Sequence, residues 1–163
     1  MSKRSFRVHV AKDYLKFSAA HFIAYKGFRE RLHGHNYRVS VEVEGTSLGP
    51  EGYLLDFGLL KRIARNVCRT LDEKIVIPMH SDCLRIREEA GQIIVLYEND
   101  EFRFPVADVA LVPIAHSSAE ELARHLAGEM QRELGKHAIG RITALTIGIE
   151  ETTGQAAFFR EEE

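Results

Sequence analysis

Tyr37, Val39, Val41 and Val43 alternate with Arg38, Ser40 and Glu42. That period of two marks a strand with one buried face and predicts one over residues 36–44. Phe6, Val8 and Val10 repeat the pattern near the N-terminus, and an extended stretch continues through Phe17 to His21. His9 then falls on the solvent side. A third main strand is expected over 141–151, with Leu145, Ile147 and Ile149 on its apolar face, and a fourth over 156–160. Helical spacing takes over in two places. Leu60, Ile63, Ala64, Val67, Cys68 and Leu71 predict a helix over 57–71 that Asp56 caps. Ser118-Ala119-Glu120-Glu121 reads as a capping box opening a second helix, which runs to Leu134 and buries Leu122, Leu126 and Met130.

Between these elements lie less regular pieces. Residues 24–32 read as a loop carrying Lys26, Arg29 and Arg31. Residues 75–78 are short and apolar. Residues 84–88 and 93–97, with Gly91 between them, predict a small hairpin, and 102–113 is extended and broken by two prolines. Glu161-Glu162-Glu163 is expected to be a frayed, solvated tail. Four strands and two amphipathic helices in this order predict an α+β fold, an antiparallel sheet with both helices on one face.

The 163 residues suffice for one domain with a sizeable core, and a net charge of −2 argues against a general nucleic-acid binder. No apolar run is long enough to predict a membrane span, and no apolar block follows Met1-Ser2-Lys3-Arg4, so a cytoplasmic location is expected. Cys68 and Cys83 lack metal or redox spacing, and Cys68 reads as a buried, inert thiol. His125 and His137 read as surface positions.

The chemistry concentrates in Phe17-Ser18-Ala19-Ala20-His21 and Glu30-Arg31-Leu32-His33-Gly34-His35-Asn36-Tyr37. Side chains two apart on a strand share a face, so His33 and His35 project together with Tyr37 and Val39. His21 shares its face with Leu15, Phe17 and Ala19. Three inward imidazoles are costly unless satisfied, either by hydrogen bonds or by a metal. Three nitrogen donors with one open position is the pattern of a catalytic zinc site. Glu151 continues the apolar row of Leu145, Ile147 and Ile149. On that strand alone it reads as a rim carboxylate meeting water or an arginine. The alternative is a ligand presenting two adjacent N–H groups, as a pterin or guanine edge does.

Together these segments resemble the 6-pyruvoyltetrahydropterin synthase / 6-carboxytetrahydropterin synthase family. The resemblance rests on the His21 and His33-Gly34-His35-Asn36-Tyr37 blocks, and on Leu55-Asp56-Phe57, Leu71-Asp72, Ser118-Ala119-Glu120 and Glu151-Thr152. It implies a T-fold, an antiparallel four-stranded sheet with two helices. It also implies homohexamers, as stacked trimers that close a β-barrel with active sites between subunits. It gives His21, His33 and His35 as ligands of Zn2+. It gives Glu151, with Thr152, as the anchor of a small-molecule pterin, and Ser118 and Glu120 as pocket residues.

Two departures bear on the reaction. The family's usual cysteine stands four or six residues before the first histidine of the His-Gly-His block, where this chain has Arg29 or Gly27. Glu30 stands three before it instead. This matches a branch associated with trimming 7,8-dihydroneopterin triphosphate to 6-hydroxymethyl-7,8-dihydropterin, a folate precursor. The usual histidine after Leu-Asp is Glu73 here. The expected catalytic residues are therefore Glu30, with Asp72 and Glu73 in support. Lys26, Arg29 and Arg31 are candidate triphosphate partners, and His80 or His116 a possible substitute acid–base group. The alternatives are the 6-carboxy product of deazapurine (queuosine) synthesis, the 6-pyruvoyl product, and a non-catalytic pterin binder. The segment 80–113 is a long insert relative to short bacterial members.

Overall fold

A computed structural model describes residues 4–137 and 141–162. Strand β1 (Phe6–His21) leads through a short hairpin, β2 (Ala24–Tyr25) and β3 (Phe28–Arg29), into β4 (His33–Gly45). Strands β1 and β4 pair antiparallel from Phe6 opposite Gly45 to His21 opposite His33. The register slips between Ala11 and Lys16, with five residue steps on β1 set against two on β4. An odd excess reverses the faces. Val10 is therefore buried before the slip, and Leu15, Phe17, Ala19 and His21 after it. The bulge turns the histidine end of β1 toward the same side as Tyr37 and Val39. His9 is exposed, as expected, and lies 3.6 Å from Glu42.

The chain continues through α1 (Phe57–Arg69), β5 (Lys74–Pro78), a meander of β6 (Arg85–Glu89), β7 (Gln92–Tyr97) and β8 (Asp100–Pro105), and one 3-10 turn into β9 (Val109–Val112). Helix α2 (Ala119–Leu134), β10 (Ile142–Thr152) and β11 (Gln155–Glu162) complete it. The main sheet runs β11-β10-β4-β1-β5-β9. Its first four members are the antiparallel unit expected, and β5 and β9 extend it in parallel. Residues 84–97 form more than a hairpin, because β8 pairs on β7 as a third strand. Glu161 and Glu162 continue β11 instead of fraying, with Arg160 3.0 Å from Glu162. Glu163 lies outside the described residues.

Both helices cover one face of the antiparallel strands. Leu60, Val67, Leu122, Leu126 and Met130 pack on Phe17, Tyr37, Val41 and Ile147, all buried. Each fully buried aliphatic or aromatic side chain of this kind contributes about 1.5–3 kcal/mol. Local signals start both helices. The Asp56 carboxylate accepts from the Leu59 amide at 2.7 Å, and the Ser118 hydroxyl from the Glu121 amide at 3.3 Å. Glu121 itself pairs with Arg124, so the serine half of the capping box is the half that forms. Cys68 is buried and its thiol is pushed up to about 12 by desolvation, in keeping with an inert core residue. His125 is half-buried, not the surface position expected, because it borders the buried stripe of Leu122 and Leu126 on α2. The meander has a second small core, in which Phe22, Ala24, Ile77 and Leu84 pack on Ile93, Val95 and Tyr97.

Candidate metal centre and its cavity

His21 closes β1 and His33 opens β4, directly opposite one another. His35 follows on the same face, opposite Ala19. Their ring centroids lie 4.7, 5.3 and 4.9 Å apart, and one ligand atom from each falls within 4.8 Å of the others. At a tetrahedral zinc with bonds of about 2.0–2.1 Å the nitrogens stand roughly 3.3 Å apart, so small ring movements complete a ligating set.

The tautomers are fixed by carbonyl oxygens, which only accept. His21 Nδ1–H donates to the Ser117 carbonyl at 2.7 Å, and His33 Nδ1–H to that of Arg31 at 2.7 Å. Each leaves an Nε2 lone pair free for a ligand. His21 is 2% exposed, and its Nε2 is a buried nitrogen with no hydrogen-bond partner among the described residues. Glu151 Oε1 stands 3.4 Å from that nitrogen and 3.3 Å from His35 Nε2. On His21 this sets lone pair against lone pair. Such a contact is favourable only with a cation or proton between the atoms. Burial lowers the His21 pKa, against the opposing pull of the Ser117 bond, and so favours the neutral, ligating imidazole. The residues therefore fit a divalent metal, and zinc by donor type.

Tyr37 is fully buried and stacks on Phe17 at 4.7 Å. Its hydroxyl donates to Glu151 Oε1 at 3.4 Å. Burial and the Glu151 charge hold the phenol well above its ordinary pKa, so it remains a donor.

The three histidines open onto a cavity of about 410 Å³ that Glu30, Ser118, Glu120 and Glu151 also line. Glu30 is held there by a reciprocal pair. Its Oε2 accepts from the Ile23 amide at 2.8 Å, while its own amide donates to the Ile23 carbonyl at 2.9 Å.

Other expected site residues stand apart. Asp72 Oδ1 accepts from the Ser18 amide at 2.8 Å, and the Glu73 amide donates to the Ser18 carbonyl at 2.7 Å. Glu73 adopts a left-handed φ of 57° as the chain turns from α1 into β5. Its side chain lines a different cavity, of about 460 Å³, with Ser18 and Asn36. Ser18 and Asn36 have the opposite parity from the histidines, so the second cavity lies along the other face of the β1–β4 ribbon and meets the metal centre at His35, which borders both cavities. Within one chain Asp72 and Glu73 therefore do not join Glu30. The Thr152 hydroxyl donates to Gln155 Oε1 at 2.9 Å in the β10–β11 turn, and Gln155, not Thr152, lines the histidine cavity. His80 and His116 do not line it. Arg29 is engaged elsewhere, bonded to Asp100 at 2.6 Å. Lys26 and Arg31 are exposed.

Ser117 went unread in the sequence. It is fully buried and donates to the Phe22 carbonyl at 3.1 Å while orienting His21. Its place just before the cap Ser118 was the one available signal.

A three-histidine centre with a carboxylate over it, at the end of a sheet covered by two helices, defines the T-fold class of pterin-handling enzymes. The chain belongs to the 6-pyruvoyl tetrahydropterin synthase family, whose pattern it matches over residues 10–162. It is an enzyme of that family, a lyase. A Methanocaldococcus jannaschii protein provisionally named 6-carboxy-5,6,7,8-tetrahydropterin synthase is 32% identical over 146 residues, 90% of each chain. The Plasmodium vivax 6-pyruvoyltetrahydropterin synthase structure superposes with a TM-score of 0.90 at 34% identity, covering 98% of this chain and 99% of that one. The Plasmodium falciparum 6-pyruvoyl tetrahydropterin synthase structure gives 0.90 at 36% over the same shares. The P. vivax protein has also been solved with its catalytic residue, a glutamate, replaced by alanine or by cysteine.

Proposed function

We propose that this protein is a zinc-dependent lyase that cleaves the side chain of 7,8-dihydroneopterin triphosphate to give 6-hydroxymethyl-7,8-dihydropterin. The observation that carries this reading is Glu30, three residues before His33 and lining the cavity onto which the three imidazoles open. A catalytic glutamate in the P. vivax structure supports it.

Zinc held by His21, His33 and His35 would supply Lewis acidity toward side-chain hydroxyls. Glu151 accepts two adjacent N–H groups of the pterin and sets its angle, with Tyr37 holding the carboxylate. Ser118 and Glu120 line the ring's path. The Ile23 amide fixes Oε2 of Glu30 and leaves Oε1 as the oxygen for proton exchange. Glu30 takes the proton from the hydroxyl on the second side-chain carbon, where a carbonyl forms. The bond to the first side-chain carbon breaks and its electron pair passes into the pterin ring. The proton then returns to that first carbon, so no oxidant or reductant is consumed. Lys26 and Arg31 are the loop cations left to meet the triphosphate. Asp72 and Glu73 serve from a neighbouring subunit of a hexamer, since their own chain holds them on the far face of the ribbon.

The test is product mass from zinc-loaded protein and 7,8-dihydroneopterin triphosphate, with Glu30→Gln beside it. Zinc content is expected to stay level while turnover in the variant disappears. Full turnover in that variant removes Glu30 from the mechanism. The name of the M. jannaschii relative favours a second reading, 6-carboxytetrahydropterin synthesis. Mass identification of that product in the same assay would establish it.

A further inference from the structure

Arg29 sits between the catalytic loop and the three-stranded meander, and all of its nitrogens are used. Nε and Nη2 both donate to Asp100 Oδ2 on β8, at 3.0 and 2.6 Å. Nη1 donates to the backbone carbonyl of Glu30 at 2.8 Å. The guanidinium also lies against two rings, 4.9 Å from the Phe102 centroid and 5.7 Å from that of Phe22. Those rings stack on each other at 5.0 Å. Phe22 follows the ligand His21 directly, and Phe102 belongs to the meander. One further tie runs the same way, from the Tyr97 hydroxyl to the Tyr25 carbonyl at 3.0 Å.

A loop of this length is mobile by default, and a proton-transfer group displaced by about 1 Å loses on the order of a hundredfold in rate. The reciprocal Ile23–Glu30 bonds close the loop at its neck but tie it to nothing beyond itself. The loop's start is anchored at the Phe22 carbonyl, by Ser117, and at Ala24, packed against Ile77, while among the described residues the polar ties of Tyr25 and Arg29 run to the meander. An isolated exposed ion pair contributes little. Here the guanidinium is also held by the Glu30 carbonyl and two aromatic faces, so the Asp100 carboxylate completes a fixed set of contacts at little further entropic cost.

We infer that Asp100 and Phe102 of the meander are positioning residues for Glu30, acting through Arg29. The meander is the clamp that holds the proton-transfer loop over the metal centre. The inference rests on the assignment of Glu30 as the proton-transfer group. It also removes Arg29 from the triphosphate site.

The test pairs kinetics with amide hydrogen exchange on the zinc-loaded protein. Asp100 is exposed, so Asp100→Asn leaves folding intact. It is expected to lower kcat tenfold or more, leave KM and zinc content unchanged, and speed exchange of the Ile23 and Glu30 amides. Asp100→Glu is expected to recover most of kcat. Unchanged exchange across residues 22–32 in Asp100→Asn overturns the clamp, whatever the rate does. Faster exchange with unchanged kcat overturns the positioning role. Arg29→Gln separates the competing role: a KM raised for the triphosphate but not for unphosphorylated dihydroneopterin assigns Arg29 to phosphate and defeats the proposal. Turnover surviving in Glu30→Gln defeats the assignment of Glu30 instead, and the exchange measurement still judges the clamp.

Discussion

Zinc is expected to stabilise this protein, and His21 is the side chain through which the effect is best read. The buried Nε2 of His21 has no hydrogen-bond partner among the described residues, and leaving such a polar group unsatisfied costs about 1–3 kcal/mol. A ligand bound only by the folded state stabilises it by about 2.7 kcal/mol at a free concentration a hundred times its Kd. For a chain of this size each kcal/mol moves Tm by roughly 2–4 °C. Zinc at that level should therefore raise Tm by about 5–11 °C. His21→Ala leaves two ligands of three and should abolish the rise.

The assay is thermal unfolding in metal-stripped buffer with and without zinc, alongside metal analysis of the dialysed protein. His9→Ala is the control, because His9 is exposed on the opposite face of the sheet. That variant should keep the full shift. A zinc shift undiminished in His21→Ala, or absent from the unaltered protein, would refute the three-imidazole centre.

Burial also lowers the His125 pKa below its ordinary 6.5, with Glu129 opposing and Arg132 assisting. The unfolded chain then takes up the proton first as pH falls. His125 thus subtracts stability as pH drops below 6.5 through the folded value, and subtracts none above it. Urea midpoints at about pH 7.5 and 5.5 should differ less in His125→Gln than in the unaltered protein. At Gly45 an added Cβ would overlap the Arg141 carbonyl and a Leu54 methyl, whereas at Gly128, inside α2, it would meet nothing within 4 Å. Gly45→Ala should cost about 1–3 kcal/mol, and Gly128→Ala should gain about 0.4–1 kcal/mol, both read from denaturant midpoints.

What the sequence made legible was local. Alternation along residues 33–43 put His33 and His35 on the face of Tyr37 and Val39, and the register keeps them there. Both helix starts followed from caps a few residues long. Less local features were hidden. Ala11 to Lys16 contains no glycine or proline, so nothing in it announced the bulge that aims His21. Strands β5 and β9 are short apolar runs, and their parallel partners lie across a crossover no periodicity reveals. Ser117 reaches His21 across 96 positions and Arg29 reaches Asp100 across 71. Arg29 read as a phosphate ligand because a loop cation shows its charge and not its partner. Asp72 and Glu73 were recognised by motif, which says nothing of the face they occupy.

That face carries a consequence for assembly. One copy presents the imidazoles, Glu30 and Glu151 on the inner side of the β1–β4 ribbon, and Asp72 and Glu73 beside a second cavity on the outer side. If both groups serve one reaction, the outer cavity of one copy must meet the inner site of the next. Such a contact joins two different surfaces, so it is heterologous and makes a ring where its rotation closes, whereas a twofold contact would join like to like. The edge strands suit a ring, since closure pairs the unsatisfied backbone groups that an open sheet would expose. The bulge in β1 belongs to the same logic. By exchanging inner and outer positions partway along one strand, it lets the histidine end face the cavity while Arg7 and His9 stay with Glu42 on the polar face.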